Sequence, residues 1–365
     1  MIIKSVSLKN FRNYETLKID LDQDTNILFG DNAQGKTNIL EALYVSGTTK
    51  SHKGSKDREM IRFGEEEAHI CTSVQKDERE YEIDIHLKKS RTKGIAVNKV
   101  PIRKASELFG ILHLVFFSPE DLNIIKNGPA ERRRFLDIEL CQLDKIYLHN
   151  LTKYNKALMQ RNKLLKDICY QPELKPTLPV WDEQLILYGR KVIQRRREFM
   201  SDLVPVISEI HRKISGEKEE IAVNYEPDVS EGEYEAEMNR FMQKDLKTGS
   251  TSVGPHRDDI RFSVNNVDIR RYGSQGQQRT AALSLKLSEI ELVKTMIHDT
   301  PVLLLDDVMS ELDSSRQNYI LDNINDVQTV ITCTGLDDFI KNRFCINKIF
   351  RIKEGHAEEM NWRNL

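Results

Sequence analysis

The stretch Asn26–Tyr44 reads NILFGDNAQGKTNILEALY, and it decides the fold. Gly30-Asp31-Asn32-Ala33-Gln34-Gly35-Lys36-Thr37 satisfies G-x-x-x-x-G-K-[ST] in full. The apolar run Ile27-Leu28-Phe29 precedes it as a strand, and Ile39, Leu40 and Leu43 follow at helical spacing. Gly30 and Gly35 let the backbone curl so that successive N–H groups point at one anion. The positive end of the following helix aims at the same anion. Lys36 is expected on the β- and γ-phosphate oxygens of ATP, and the Thr37 hydroxyl on Mg²⁺. The alternative is a glycine-rich strand-to-helix turn with no ligand, which does not account for Lys-Thr, strand and helix together.

Working outward, residues 301–313 read PVLLLDDVMSELD. Four apolar residues, Val302 to Leu305, predict a buried strand of a parallel sheet. Two carboxylates stand at its C-terminal end, where open α/β sheets place their ligands. Asp306 is the expected Mg²⁺ anchor, and Asp307 is placed to polarise an attacking water. Alone, this is also how a surface Asp-Asp turn reads. A third segment, Tyr272-Gly-Ser-Gln-Gly-Gln-Gln-Arg279, opens a helical pattern running from Thr280 to about Met296. Ser274 suits an N-cap, and Gly276 leaves room for an oxygen to approach. With Arg279 it predicts a second anion site. One ATP already has its triphosphate on the first loop, so this helix is expected to meet the γ-phosphate of a nucleotide held by another copy. A two-fold dimer would then sandwich two ATP molecules. An ordinary polar helix cap is the competing reading.

The chain has 365 residues, 55 Lys+Arg against 57 Asp+Glu, 39% apolar and 31% charged residues. That fits a soluble globular protein large enough to need no staple. No apolar run reaches the roughly 20 residues of a membrane span. The start MIIKSVSLKNFRNY has no apolar h-region, so no secretory signal is expected. The five cysteines, Cys71, Cys141, Cys169, Cys333 and Cys345, are scattered and form no CxxC pair. They read as reduced thiols of a cytoplasmic protein rather than a disulfide frame or zinc site.

The first hundred residues read as short strands around one helix, with Tyr81–Leu87 alternating and Leu112–Phe117 as a further strand. After Asn127-Gly128-Pro129 the pattern becomes helical and basic to about Tyr170. Pro172, Pro176 and Pro179 interrupt it, and a second helix is expected from Trp181 to about Ile214. Together they predict a helical hairpin of at most about 35–40 residues per helix, roughly 55 Å. Residues 151–200 hold eleven Lys/Arg and five acids, a local balance of +6 hidden by the near-neutral total. Such a surface suits a phosphate backbone. The acidic stretch after Gly216 reads as a solvated face plus loop.

The three motifs together resemble the ABC-type ATPase heads of the RecF and SMC group, and the RecF family most closely. The resemblance runs along nearly the whole chain: LKNFRNY at Leu8–Tyr14, SHKGSKDRE at Ser51–Glu59, FSPEDL at Phe117–Leu122, GPAERRRFLD at Gly128–Asp137, VGPHRDD at Val253–Asp259, SQGQQR at Ser274–Arg279 and LLLDDVMSELD at Leu303–Asp313. It implies an α/β ABC-type P-loop head assembled from both chain ends, residues 1–127 and 246–365, with an inserted helical domain over 128–245. It also implies an ATP-dependent dimer that binds DNA at single-stranded gaps and junctions, with slow, DNA-stimulated ATP hydrolysis. RecO and RecR would be partners in helping RecA replace single-strand-binding protein, in repair, replication restart and SOS induction.

Carried over residue by residue, Gly30–Thr37 would be the Walker A loop and Asp306 the Walker B acid. Asp307 would be the hydrolytic residue. Ser274, Gln275, Gly276, Gln277 and Arg279 would be the signature motif, and Ser310–Asp313 the D-loop. Arg12 and Asn13 would lie near the adenine. Glu120 stands where transport relatives carry a glutamine. His256 with Asp258-Asp259 invites a metal reading, against which a buried polar network is expected. Asp307 is one methylene shorter than the usual Glu, and Thr334 stands where transport ATPases place a histidine. Both imply slow chemistry, a timed clamp rather than a motor. A transport ATPase subunit is the alternative, and the basic helical insertion speaks against it.

Overall fold

The parallel strands predicted around the phosphate loop form, and they pair with segments from the other end of the chain. In this computed structural model, which describes residues 1–324, 326–335 and 347–360, Thr25–Phe29 lies between Thr329–Cys333 and Lys348–Lys353, parallel to both. Val302–Asp306 pairs on the far side of Thr329–Cys333, and Leu114–Phe117 pairs beyond it. The strand His356–Met360 closes the other edge antiparallel, giving six strands. Val302–Asp306 and Thr329–Cys333 are buried along their whole length, which is why neither shows the apolar-polar alternation of a half-exposed strand.

An antiparallel sheet covers the other side of the same core. Its order is Tyr14–Asp20, Ile2–Phe11, Glu67–Lys76, Arg79–Lys88, Gly94–Val97, Val100–Pro101. Helix Lys36–Thr48 has almost every residue buried, and Ile39, Leu40 and Leu43 share one apolar cluster with Val6, Leu8, Ile70, Ile83 and Leu304. Gln328 ties the chain ends together: its side chain accepts from Ile3 N at 2.6 Å and donates to Ile3 O and Asp22 O. A head built from both ends of the chain is thus a matter of strand pairing and of this buried amide.

Contacts divide the chain into Met1–Asp121 with Lys286–Leu365, and Leu122–Leu285. The expected insert, 128–245, was shorter at its C-terminal side. The difference has a cause in the sheet of the second unit: Asp259–Val264 pairs antiparallel with Ile221–Glu226, and Val267–Asp268 extends it. Residues 246–285 therefore belong with the insert by contact. The acidic stretch after Gly216 is more than a solvated face plus loop. It holds that strand, with Ile221 and Val223 buried, and helix Tyr234–Thr248, which buries Tyr234 and Met238.

The hairpin forms from Lys145–Ile168 and Leu178–Ile214, a helix of 37 residues, around a 3₁₀ turn at Pro172–Thr177. The basic pattern before Tyr170 is two helices, not one. Pro129–Leu143 ends at Asp144, whose carboxylate caps the next helix by accepting from Ile146 N at 2.7 Å and Tyr147 N at 3.0 Å. No helix among the described residues is long and apolar enough to cross a membrane. Cys345 lies outside the described residues.

Candidate nucleotide site

Strand register assembles the site. Asp306 lies opposite Thr332, and Thr332 lies opposite Leu28, at the C-terminal end of the phosphate-loop strand. Thr332 is thereby held between the two motifs. Its hydroxyl donates to Asp306 Oδ1 at 2.9 Å and accepts from Asp307 N at 2.9 Å. Thr37 Oγ1 donates to the same Asp306 oxygen at 2.8 Å, across 269 positions of sequence. The predicted Walker A threonine and Walker B acid are thus in contact. Burial pushes the Asp306 carboxyl up, and the hydroxyls of Thr37 and Thr332 pull it part of the way back.

The loop is shaped for an anion. Gly30 and Gly35 have φ of +152° and +112°; a Cβ would lie 2.3 Å from Ile352 O at the first and 2.5 Å from the Asn13 amide at the second. Among the described residues, the backbone N–H groups of Asn32, Ala33, Gln34 and Gly35 donate to no protein acceptor. Helix Lys36–Thr48 has no side-chain cap and no acid in its first turn, so its positive end is left for a ligand. Lys36 is buried, with Nζ on Gly30 O and on Asp31 O at 3.0 Å. A cleft of about 210 Å³ is lined by this loop with Lys36, Thr37, Lys53, Asp307 and Thr332.

A buried carboxylate beside a hydroxyl offers hard oxygens of the kind Mg²⁺ takes. Thr37 and Asp306 would hold that ion. Asp307 is half-buried on the cleft, and its φ of +56° is unusual for a residue with a side chain. Thr332 Oγ1 on its N–H and the Ser310 hydroxyl on its carbonyl, at 2.8 Å, hold that backbone.

Asn13 and Arg12 occupy the hairpin turn above the loop. Asn13 Nδ2 donates to Gln34 O at 3.0 Å, and Asn13 Oδ1 accepts from Asn38 at 2.8 Å. Gln34 Oε1 also accepts from Glu354 N at 2.7 Å, so both chain ends brace the loop. Arg12 points its guanidinium to Glu41 (2.7 and 2.6 Å), Ser55 and the Glu59 carbonyl. Burial alone would push the Glu41 carboxyl up; hydrogen bonds from Arg12 and Ser51 outweigh it and hold it below its ordinary 4.5. Its side chain is fully buried within the phosphate-loop helix. The sign follows: a lowered folded pKa stabilises above pH 4.5, and that contribution is lost as pH falls through the folded value. Glu41→Gln is expected to destabilise the head by about 3 kcal/mol at pH 7, since Arg12 loses its partner, and by much less near pH 3. Urea unfolding of both proteins at the two pH values measures this; an equal effect at both would disprove the ion-pair account.

The second predicted anion site lies in the other unit. Helix Gln275–Ile297 starts earlier than its apolar pattern implied. Ser274 caps it as expected: Ser274 Oγ accepts from Gln277 N at 3.2 Å, and Gln277 Oε1 accepts from Ser274 N at 3.1 Å, a reciprocal capping box. Ser274, Gln275, Gly276 and Arg279 are exposed, Gln277 half-buried. Glu120 is exposed in the 3₁₀ turn Pro119–Asp121.

His256 and its two aspartates lie in a polar network, not a ligand set. Asp258 accepts from Arg196 at 2.7 Å and from Tyr225; Asp259 accepts from Arg132; His256 Nδ1 meets Tyr154 OH at 2.6 Å. Burial lowers the His256 pKa to about 4. The same network corrects part of the basic window of 151–200. Arg161 and Arg196 are buried, Arg161 on Asp182 and Asp245, Arg196 on Asp137 and Asp258. Arg190, Arg195 and Arg197 are ion-paired as well.

Three site residues escaped the sequence reading. Thr332 carries no motif of its own; only strand register reveals it. Lys53 and Glu41 had a signal in SHKGSKDRE, whose Ser51 and Ser55 bind Glu41 and Arg12 while Lys53 reaches the cleft.

Comparison with known proteins accords with this geometry. The model of the RecF/RecN/SMC N terminal domain matches residues 2–357. The chain is 66% identical over 358 residues to the DNA replication and repair protein RecF of Agathobacter rectalis, covering 98% of this chain and 99% of that one. It is 60% identical over 363 residues to that of Lachnospira eligens, with 99% and 100% covered. A solved structure of the recombination mediator protein RecF with ATP in the RecFOR pathway superposes with a TM-score of 0.92 at 36% identity, over 98% of this chain and 97% of that one. The Smc head domain of Pyrococcus furiosus, at 17% identity and a TM-score of 0.56 over 98% and 95% of the two chains, shares the fold. The chain belongs to the RecF family.

Proposed function

We propose that this protein is an ATP-dependent DNA-binding ATPase of recombinational repair and replication restart, acting in the RecFOR pathway. The observation that carries the nucleotide half is the contact of Thr37 with Asp306 at a cleft lined by Lys36 and Lys53. The relatives' names and the solved RecF–ATP structure support the DNA and pathway half. In this reading the loop N–H groups and Lys36 bind the triphosphate, and Thr37 and Asp306 hold Mg²⁺, which neutralises phosphate charge when bound. Asp307 orients the attacking water and accepts its proton as the water oxygen bonds to the γ-phosphorus and ADP leaves. The short Asp side chain makes this step slow. The exposed Ser274–Arg279 turn of a second copy meets the γ-phosphate, so two ATP molecules join two subunits and hydrolysis parts them. The dimer clamps DNA at gaps and junctions in the cytoplasm, with RecO and RecR, for RecA loading and SOS induction. The ATPase head is assembled from both ends of the chain, around an inserted, mostly helical domain.

Sedimentation with and without a slowly hydrolysed ATP analogue tests the dimer, since ligand bound only across the interface shifts association by mass action. Asp307→Asn is expected to bind ATP normally and to prolong the dimer. Ser274→Arg is expected to bind ATP as a monomer and never dimerise. A monomer under all conditions would reject the sandwich. Gel shifts on single-stranded, duplex and gapped DNA, each with and without ATP, test the DNA half.

A further inference from the structure

We infer that the solvent face of helix Lys145–Ile168 is the surface on which a DNA duplex lies, held by its phosphates. The inference rests on the DNA-binding reading above and assigns it a place. Once the buried and paired arginines are set aside, the basic excess of the hairpin collects on this one helix. Lys145, Lys153, Lys156 and Lys163 are exposed, and none forms an ion pair among the described residues. At 100° per residue, Lys145, Lys156 and Lys163 fall within about 20° of one line along the helix, with Lys153 to one side. The only acid of this helix, Asp167, is half-buried near its end.

The other helix of the hairpin shows that this is not simply how the domain is charged. On Leu178–Ile214, Arg195 pairs with Asp144 and Glu198, Arg197 with Glu231, and Arg212 with Glu209 and Glu217. Its arginines are all ion-paired and Lys191 alone of its lysines is exposed with no ion pair among the described residues, whereas Lys153 and Lys156 stand one turn apart as like charges, an arrangement that weakens a helix in isolation. A polyanion lying along the row removes that repulsion.

The row from Lys145 to Lys163 is roughly 27 Å long, about eight base pairs of duplex rise. Its members are lysines, point charges suited to phosphates, with no exposed arginine fork to read a base edge. Between Lys145 and Lys163 the helix exposes no Phe, Tyr or Trp, and its one exposed ring, His149, meets Tyr188 edge to face, so no run of ring platforms follows the row, which favours duplex over single strand.

The test uses the full chain with ATP and a duplex of about 30 base pairs, with dissociation constants measured from 50 to 200 mM salt. Replacing Lys153, Lys156 and Lys163 together by Ala is expected to weaken binding at least roughly tenfold at low salt. The slope of log K against log salt should fall by about 0.9 for each contact removed. Replacing the same three by Arg is expected to keep the slope, because charge and not packing is at stake. ATP affinity and ATP-dependent association should remain those of the parent, which shows that the variants fold. A triple Ala variant with parental affinity and slope would overturn the assignment while leaving DNA binding intact. A loss seen only with a protein partner would overturn it as well. If the parent itself binds no DNA, the proposed function falls and this surface with it.

Discussion

Lys36→Met binds ATP at least about 100-fold more weakly than the parent and no longer associates in its presence, while its fold is kept. The size follows from removing charge-assisted hydrogen bonds to phosphate, each worth roughly 1.5–3 kcal/mol. Stability is spared because the lysine ammonium touches only Gly30 O and Asp31 O, carbonyls of a solvent-facing loop that water can serve instead. Lys36→Arg is expected to be nearly as poor, since a planar fork does not replace a compact ammonium inside a glycine turn. Lys53→Ala, which removes the other cation lining the cleft, should weaken ATP by about tenfold, one charge-assisted contact. Calorimetric titration with ATP and ADP measures all three, and urea unfolding checks the fold. Parental affinity in Lys36→Met would mean that the cleft does not hold the triphosphate.

That prediction was available from sequence because the chemistry at Lys36 is local. Gly30, Gly35, Lys36 and Thr37 lie within eight positions, and a loop, an apolar run before it and a helical period after it need nothing distant. Asp306 was legible for the same reason, at the end of a wholly apolar run. Thr332 was not: a threonine in a strand gains its role from which strand lies beside it, here Val302–Asp306 on one side and Thr25–Phe29 on the other. The same limit hid the insert's sheet. Ile221, Val223 and Tyr225 recur at every second position as in a strand, but they sit in an acid-rich stretch, and their partner Asp259–Val264 lies beyond a helix. Charge was the most misleading signal. Arg161 and Arg196 look in sequence like Lys153 and Lys156, and only burial separates a residue that holds the insert together from one that faces solvent.

Arg196→Met therefore destabilises the insert by about 3–5 kcal/mol at pH 7, the range for stripping one partner from a buried ion pair. The guanidinium binds Tyr147 OH at 3.0 Å, Pro255 O and Asp258 at 2.7 Å, and Asp137 at 2.7 Å. Methionine fills much of the volume but leaves the Asp258 side chain, 0% exposed, as an uncompensated charge. Burial already pushes the Asp258 carboxyl above its ordinary 3.8, with Arg196 pulling it back; without Arg196 it rises further. Between 3.8 and that raised value the folded variant binds more protons than the unfolded chain, so its stability falls as pH rises through the window. The penalty should shrink on going from pH 7 to pH 5. Arg196→Met with Asp258→Asn should recover a large part of it at pH 7, because the amide oxygen can still accept from Asp228 N while the amide nitrogen, in place of the other oxygen, can donate to the Tyr225 hydroxyl. Amide exchange at Val192 and Leu203, both buried in the long helix, reports the opening of this unit apart from the head. A penalty below about 1 kcal/mol, or one independent of pH, would show that the network is ornamental to folding and that the arginine is kept for another reason.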